Sequence, residues 1–323
     1  MGVVLRMYLL LAALFAFLYG IVLLVGSLIG VGSFLVYGII AVVFMLIQYL
    51  IGPAMVGWTM KVRYVTEKEE PVLHRMIGEL AEAAKLPKPK VGVSALSIPN
   101  AFAFGRTTRD GRICVTEGIR KLLKEDELRA VLGHEMSHLK HKDMALMTLL
   151  NIFPMIIYYV AMTLMWSGIL GGGDRDRRGG SNPLPLIGIG LLVVHFIVQL
   201  MVLYASRLRE YYADEGSVEL GSKPQHMATA LYKLVVGSAK ASSGELKQVE
   251  GAKAFFVNDP SRALLEVREL KEIDQDMSGS IDVGELMVLR SKKVKVGFGE
   301  KMMEALSTHP NMLKRIKHLS SLT

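Results

Sequence analysis

The chain has 323 residues, of which 51% are hydrophobic, and a net charge of +8. Its apolar residues are gathered in long uncharged blocks, which excludes an ordinary soluble protein. The positive-inside bias of a membrane protein is then the simplest source of the charge, and no nucleic-acid partner is expected. Cys114 is the only cysteine, which excludes an intramolecular disulfide and fits a reducing compartment.

The first uncharged block extends from residue 7 to residue 60. One membrane crossing needs about 20 residues, and glycines divide this block near its middle. We therefore predict two transmembrane helices, roughly at 8–28 and 34–58, which make residues 1–60 an N-terminal transmembrane hairpin.

Two further uncharged blocks, 145–170 and 184–205, predict a second transmembrane hairpin over residues 144–205, with a polar connector at 171–183. With four spans, the basic residues that flank both hairpins fall on one side of the bilayer, against three arginines of the connector on the other. Because the side with more basic residues is normally the cytoplasmic one, we expect both termini and the polar domain in the cytoplasm. We expect a multi-pass protein of the plasma (inner) membrane, with the lipid bilayer as a partner.

The polar residues 61–143 predict the first part of a mixed α+β domain. Apolar spacing predicts a helix at 70–86, and short strands are expected at 90–93 and 112–115, with a further strand at 100–105 that lines a groove. Asp126 is a candidate cap for the next helix, which extends to about residue 141.

Residues 206–323 form the second part of the same domain. Helices are expected at 208–220, 226–237, 261–273 and 283–292, and a loose stretch at 239–251. The expected fold is therefore a mainly α integral membrane protein with four transmembrane helices and a cytoplasmic α+β, zincin-like domain with a small sheet.

The motif His-Glu-Met-Ser-His occupies residues 134–138. On a helix, His134 and His138 share one face, and two neutral imidazoles at that spacing suit a zinc ion. Glu135 is then placed to take a proton from a water molecule that the metal activates, which is the chemistry of peptide-bond hydrolysis. The alternative is a charged turn on a surface helix.

Catalytic zinc usually has three protein ligands. A third histidine six residues after His138 is ruled out because Met144 stands there, and His141 on the same helix is a poor fit. Glu210 is the favoured candidate. Asp214 lies four residues further on and can accept a hydrogen bond from a ligand histidine. An exposed acidic helix face is the alternative for this pair.

These motifs resemble those of the HtpX heat-shock proteases and of their relatives, the CAAX prenyl proteases, which are integral-membrane zinc endopeptidases. The resemblance extends over nearly the whole chain. It includes both zinc-ligand helices around a hairpin of spans, residues 100–105, Val-Thr-Glu-Gly at 115–118 and Thr-His-Pro at 308–310.

The resemblance implies a zinc site of His134, His138 and Glu210, with Glu135 as the general base. It also implies that His309 helps to hold the oxyanion, and a cap of the C-terminal helix is the alternative for residues 308–310. By the same resemblance, the segment at 100–105 is the edge strand that pairs with an extended substrate. Its predicted substrate-binding residues are Asn100, Ala101, Phe102 and Ala103.

The expected function is a zinc-dependent endopeptidase of the membrane, with misfolded or damaged membrane proteins as its polypeptide substrates. The prenyl proteases are the runner-up within this class, but they have more than four spans. Two other classes stay open: a non-catalytic membrane adaptor or calcium-responsive scaffold on the same fold, and a small transporter that uses His195 and Gln199 within a span.

Residues 274–285 match the calcium loop of an EF-hand, with Gly279 at the turn and Ile281 at the apolar position. The oxygen-bearing side chains of this pattern are Asp274, Asp276, Ser278, Ser280, Asp282 and Glu285. EF-hand loops normally occur in pairs and only this one matches, so an ion-free acidic loop is the alternative. We favour an EF-hand-like loop and name Ca²⁺ as a candidate second metal.

Overall fold

The computed structural model of the protein describes residues 50–170, 183–249, 256–258, 262–292 and 297–323. The first predicted span, most of the second and nearly all of the connector lie outside these ranges. The chain divides into two compact units, and the described part of one of them is drawn from Leu146–Ala205. The other unit consists of Leu50–Ala145 and Ser206–Thr323.

The described secondary structure is mostly helical. The helices are α1 Leu50–Thr59, α2 Pro71–Ala83, α3 Glu117–Leu122, α4 Glu125–Lys140, α5 Asp143–Leu170, α6 Leu184–Glu219, α7 Pro224–Ser238, α8 Ser243–Val249, α9 Ala263–Leu270, α10 Val283–Ser291, α11 Phe298–Ala305 and α12 Met312–Ser320. The strands are β1 Val62–Tyr64, β2 Lys90–Ser94, β3 Ala101–Phe104 and β4 Arg112–Thr116.

The four strands form one mixed sheet in the order β1-β2-β4-β3. β2 and β4 are parallel, and β1 and β3 are antiparallel to their neighbours. β3 is therefore an edge strand among the described strands. Alternation along β4 sends Ile113 and Val115 into the main core and Cys114 into a second cluster with Phe102 and Phe104, so both faces of the sheet are buried.

Helix α4 lies in the main core, where it packs against α2, α7 and β3. Its apolar residues Val131, Leu132 and Met136 are fully buried because they repeat at helical spacing. Glu127 is also buried, and both of its carboxylate oxygens accept hydrogen bonds from Lys233 on α7, at 2.7 and 2.9 Å. This ion pair joins α7 to α4, the helix that carries the motif described below.

The expected cap of α4 was wrong. The helix begins at Glu125 after Lys124, whose N–H donates to the carboxylate of Glu127 at 2.9 Å, while Asp126 is exposed in the first turn. The carboxylate three residues into the helix satisfies the free backbone donor, so no cap from Asp126 is needed. Two other expectations also differ from the structure. The helix expected at 208–220 is the end of the long helix α6, and the stretch at 239–251, expected to be loose, contains α8.

Within the described residues, α5 and α6 are long and apolar enough to cross a membrane. In their own unit, Phe153 and Ile157 of α5 pack with Val198 and Val202 of α6. His195 hydrogen-bonds across this pair to the carbonyl oxygen of Pro154 at 2.9 Å, which links the two helices.

Candidate metal centre and active site

The two motif histidines lie on one face of α4 and point at the same spot. The Nε2 atoms of His134 and His138 are 3.1 Å apart, and His134 is 1% exposed. Glu135 contributes a carboxylate oxygen to the same cluster, in which the ligand atoms all lie within 4.8 Å of one another. The helix therefore presents two imidazoles and a carboxylate together, as the sequence pattern predicts.

Glu210 on α6 brings its carboxylate to both histidines. Its Oε2 lies 3.7 Å from Nε2 of His134, and its Oε1 lies 3.7 Å from Nε2 of His138. Two nitrogen or oxygen ligands of a tetrahedral zinc ion are about 3.3 Å apart. The three side chains thus fit a zinc ion, and they are the residues that would hold it.

The other candidate for a third ligand, His141, is not part of this cluster. Its Nδ1 lies 3.0 Å from the carbonyl oxygen of Ser137, one turn earlier on the chain. This nitrogen is therefore engaged by a backbone carbonyl group at the end of the same helix.

Small residues let α4 and α6 approach closely enough for this convergence. A Cβ added at Gly216 would lie 2.6 Å from the Cβ of Ser137, and one added at Gly133 would lie 3.0 Å from the Oγ of Ser217. Ser217 also donates a hydrogen bond from Oγ to the carbonyl oxygen of Ala130 at 2.6 Å. The spacing of the two ligand-bearing helices therefore depends on the absence of larger side chains at these positions.

Asp214 contacts the ring nitrogen of His134 that faces away from Glu210. Nδ1 of His134 lies 2.9 Å from Oδ1 of Asp214, which leaves Nε2 free for a metal. Asp214 is in turn held by Arg315 on α12, which donates to both carboxylate oxygens at 2.7 and 2.8 Å. The third guanidinium nitrogen of Arg315, Nη1, lies 2.9 Å from Oε2 of Glu210.

His138 has an equivalent partner that the sequence reasoning missed. Its Nδ1 lies 2.7 Å from Oδ2 of Asp143, and Asp143 also forms a buried ion pair with Arg209. Both ligand histidines therefore have a carboxylate on the nitrogen that faces away from Glu210. An acidic residue shortly after the motif was the one available signal for Asp143.

Burial sets the protonation of the motif. It lowers the pKa of His134 and that of His138, the latter to about 4, so both rings are neutral and able to bind a cation. Burial and the nearby charge of Glu210 raise the pKa of Glu135 well above its usual range. A raised pKa makes the ionised form of a carboxylate a stronger base.

Strand β3 lies directly beside Glu135. The backbone N–H of Ala103 donates a hydrogen bond to the Glu135 carboxylate. Asn100 instead faces β4, because its carbonyl oxygen accepts from the N–H of Thr116 at 2.9 Å. Alternation along the strand then directs the backbone groups of Ala101 and Ala103 away from β4, toward the open edge of the described sheet.

The side chains of the predicted substrate-binding residues are buried. Ala101, Phe102 and Ala103 are at most 6% exposed, and the Oδ1 of Asn100 accepts from the N–H of Val257 at 3.0 Å. What this segment offers at the site is therefore its backbone.

His309 also reaches the site. It is 5% exposed, and its Nδ1 lies 3.5 Å from Oε2 of Glu210. Among the described residues, neither ring nitrogen has a partner in hydrogen-bonding geometry. The adjacent helix α12 is capped by Asn311, whose side chain accepts from the N–H groups of Leu313 and Lys314, so His309 is not needed as its cap.

Arg315 is the other residue that the sequence reasoning missed. Burial lowers its pKa, but Asp214 and Glu210 outweigh burial and raise that pKa above its ordinary value. A permanent positive charge therefore lies beside two of the site's acidic groups, Asp214 and Glu210. No local pattern in the sequence indicates it, since it comes from a helix 101 residues beyond Asp214.

The second predicted metal site is separate from this one. Carboxylate oxygens of Asp274, Asp276 and Glu285 form a distinct cluster within 4.8 Å of one another.

Comparison with known proteins identifies the family. Residues 67–323 match the model of Peptidase family M48. A "Protease HtpX homolog" of Methanothermobacter thermautotrophicus is 48% identical over 252 residues, which are 78% of this chain and 93% of that protein. One of Moorella thermoacetica is 33% identical over 328 residues, 99% of this chain and 94% of that protein.

A solved structure shares the fold. The crystal structure of S. mikatae Ste24p matches with a TM-score of 0.50 and 17% identity, over 98% of this chain and 65% of the Ste24p chain. The chain belongs to Peptidase family M48 and is therefore a protease. Its relatives confirm the resemblance to the HtpX-type membrane metalloproteases.

Proposed function

We propose that the protein is a zinc-dependent endopeptidase of the plasma membrane that hydrolyses peptide bonds of misfolded or damaged membrane proteins. His134, His138 and Glu210 would hold the zinc ion. The observation that carries this proposal is the convergence of their ligand atoms, 3.1 to 3.7 Å apart, beside a buried Glu135.

A bound zinc ion would supply a Lewis acid that activates water and polarises the scissile carbonyl. Glu135 would accept the proton of the attacking water and pass it to the leaving amine. Its raised pKa, which comes from burial and from Glu210, supports this exchange in both directions. Asp214 and Asp143 would keep the two histidines in the tautomer that leaves Nε2 free.

The edge strand supports an extended polypeptide as substrate. The backbone groups of Ala101 and the carbonyl group of Ala103 face away from β4 and can pair with an added strand, while the N–H of Ala103 contacts Glu135. Pairing through the backbone gives affinity with little dependence on side chains. Such breadth suits quality control of damaged proteins.

His309 would act on the oxyanion. Its ring is buried without a hydrogen-bond partner among the described residues and lies against Glu210. A donor held in this way can stabilise the charge that develops on the carbonyl oxygen. The positive charges next to the two membrane helices support a cytoplasmic location for the whole polar domain.

Cleavage of casein by zinc-loaded, detergent-purified protein tests the proposal. Glu135→Gln keeps the size of the side chain but removes the base, so turnover should fall by at least about 100-fold. Glu82→Gln makes the same change at an exposed position of α2 and should retain parental activity. Equal cleavage by the parent and Glu135→Gln would overturn the catalytic assignment and favour a non-catalytic adaptor with a contaminating protease.

A further inference from the structure

The loop between α9 and α10 carries a cluster of acidic groups that the zinc site does not use. Asp274, Asp276 and Glu285 each offer a carboxylate oxygen within 4.8 Å of the others. Asp282 belongs to the same loop and accepts a hydrogen bond from the N–H of Glu285 at 2.8 Å, which caps α10. Four carboxylates thus occur within twelve residues.

The negative charge of this cluster is not balanced within the described part of the chain. Among the residues that the structure describes, no lysine or arginine forms an ion pair with any of the four carboxylates. Like charges at such short range repel one another. Without a bound cation, this repulsion between carboxylates destabilises the loop.

Asp274 gives the second, independent observation. Its side chain is 5% exposed, and one oxygen, Oδ2, accepts from the N–H of Gly279 at 3.0 Å. The carboxylate also interacts with the hydroxyl of Tyr232. Yet its buried Oδ1 has no partner in hydrogen-bonding geometry. A buried carboxylate oxygen without a donor is costly, and a bound cation removes that cost.

We propose that residues 274–285 bind one Ca²⁺ ion. The polar side chains of the loop all carry oxygen, and it contains neither histidine nor cysteine, which disfavours zinc. The ligands would come from Asp274, Asp276, Ser278, Asp282 and Glu285, with the carbonyl oxygen of Ser280, at the positions that calcium loops use. So many oxygens suit Ca²⁺, with its six to eight ligands, better than the strict octahedron of Mg²⁺.

The loop is tied to helices that surround the zinc site. Thr229 on α7 accepts from the N–H of Ile281 at 2.9 Å and donates to its carbonyl oxygen at 3.0 Å. α7 packs on α4, which bears the motif, and α10 packs against α12, which bears Arg315. Calcium bound here would stabilise the helices that support the zinc ligands without entering the chemistry.

The test is calcium binding to the full-length, zinc-loaded protein in detergent after exchange into calcium-free buffer. Titration calorimetry with CaCl2 should show one saturable site per chain, and CaCl2 should raise the midpoint of thermal denaturation more than equimolar MgCl2 does. Asp276→Asn should weaken calcium binding at least tenfold, and Asp274→Asn should abolish it. Glu272→Gln, an exposed acid just before the loop, is the matched control and should bind calcium like the parent.

Two outcomes would overturn the assignment. One is the absence of saturable calcium binding by the parent, and the other is equal calcium affinity in the parent and Asp276→Asn. Because Asp276 is exposed, its variant decides the question even where Asp274→Asn fails to fold. Neither readout depends on proteolysis, so the result stands apart from the proposed activity.

Discussion

Arg315 and Asp214 form a fully buried, two-point ion pair. Nε of Arg315 donates to Oδ2 of Asp214 at 2.8 Å, Nη2 donates to Oδ1 at 2.7 Å, and both side chains are 0% exposed. Oδ1 also lies 2.9 Å from Nδ1 of His134. The C-terminal helix therefore helps to set the orientation of the first motif histidine.

Replacement of Arg315 should damage both stability and zinc binding. Arg315→Ala leaves two carboxylates buried without their counter-charge, which costs about 3–5 kcal/mol. Arg315→Lys keeps the charge but loses the planar fork, so zinc affinity should fall about 10- to 100-fold through misorientation of His134. Thermal denaturation and competition with a zinc chelator measure the two effects.

The matched control is Arg290→Lys, which makes the same change at an exposed position of α10. It should leave zinc affinity at the parental value. Equal zinc affinity in Arg315→Lys and Arg290→Lys would contradict a role for Arg315 in positioning His134.

Removal of Asp143 should weaken zinc binding through His138. The carboxylate holds Nδ1 of His138 at 2.7 Å, and without it the ring is free to turn and Arg209 loses a buried partner. Asp143→Ala should therefore lower zinc affinity about 10- to 100-fold. The control is Asp126→Ala, which removes an exposed acid in the first turn of the motif helix and should leave zinc affinity unchanged. A parental zinc affinity in Asp143→Ala would show that His138 needs no such partner.

A methyl group at Gly216 should force the two ligand-bearing helices apart. An added Cβ there would lie 2.6 Å from the Cβ of Ser137, an overlap that costs about 1–3 kcal/mol and displaces Glu210 from the histidines. Gly216→Ala should therefore lower both thermal stability and zinc occupancy. Gly299→Ala, where nothing lies within 4 Å, should be neutral or slightly stabilising. Matching behaviour of the two variants would rule out close helix approach as a requirement of the site.

Much of the site was predictable because its parts recur at helical spacing. His134 and His138 share a face on one helix, and Glu210 and Asp214 share a face on another, so residue type and spacing alone indicate two halves of a metal site. Asp143 and Arg315 were not predictable in this way. Their roles depend on how separate helices pack, and spacing along the chain carries no information about that.

The fold, like the site, was predictable only in part. Strands β2 and β4 were expected from their apolar residues, and each extends one residue further than predicted. The order of the strands was not predictable, although it is what puts Ala103 at an edge beside Glu135. The expected cap at Asp126 failed because Glu127 supplies the acceptor for the free N–H of Lys124.

Zinc content measured together with casein cleavage in a pair of variants tests the central claim most directly. Glu135→Gln should bind one zinc ion per chain and lose turnover, because only the base is removed. Glu210→Ala should lose both, because three ligands are needed to hold the metal. Full zinc occupancy in Glu210→Ala, or undiminished cleavage by Glu135→Gln, would contradict the account.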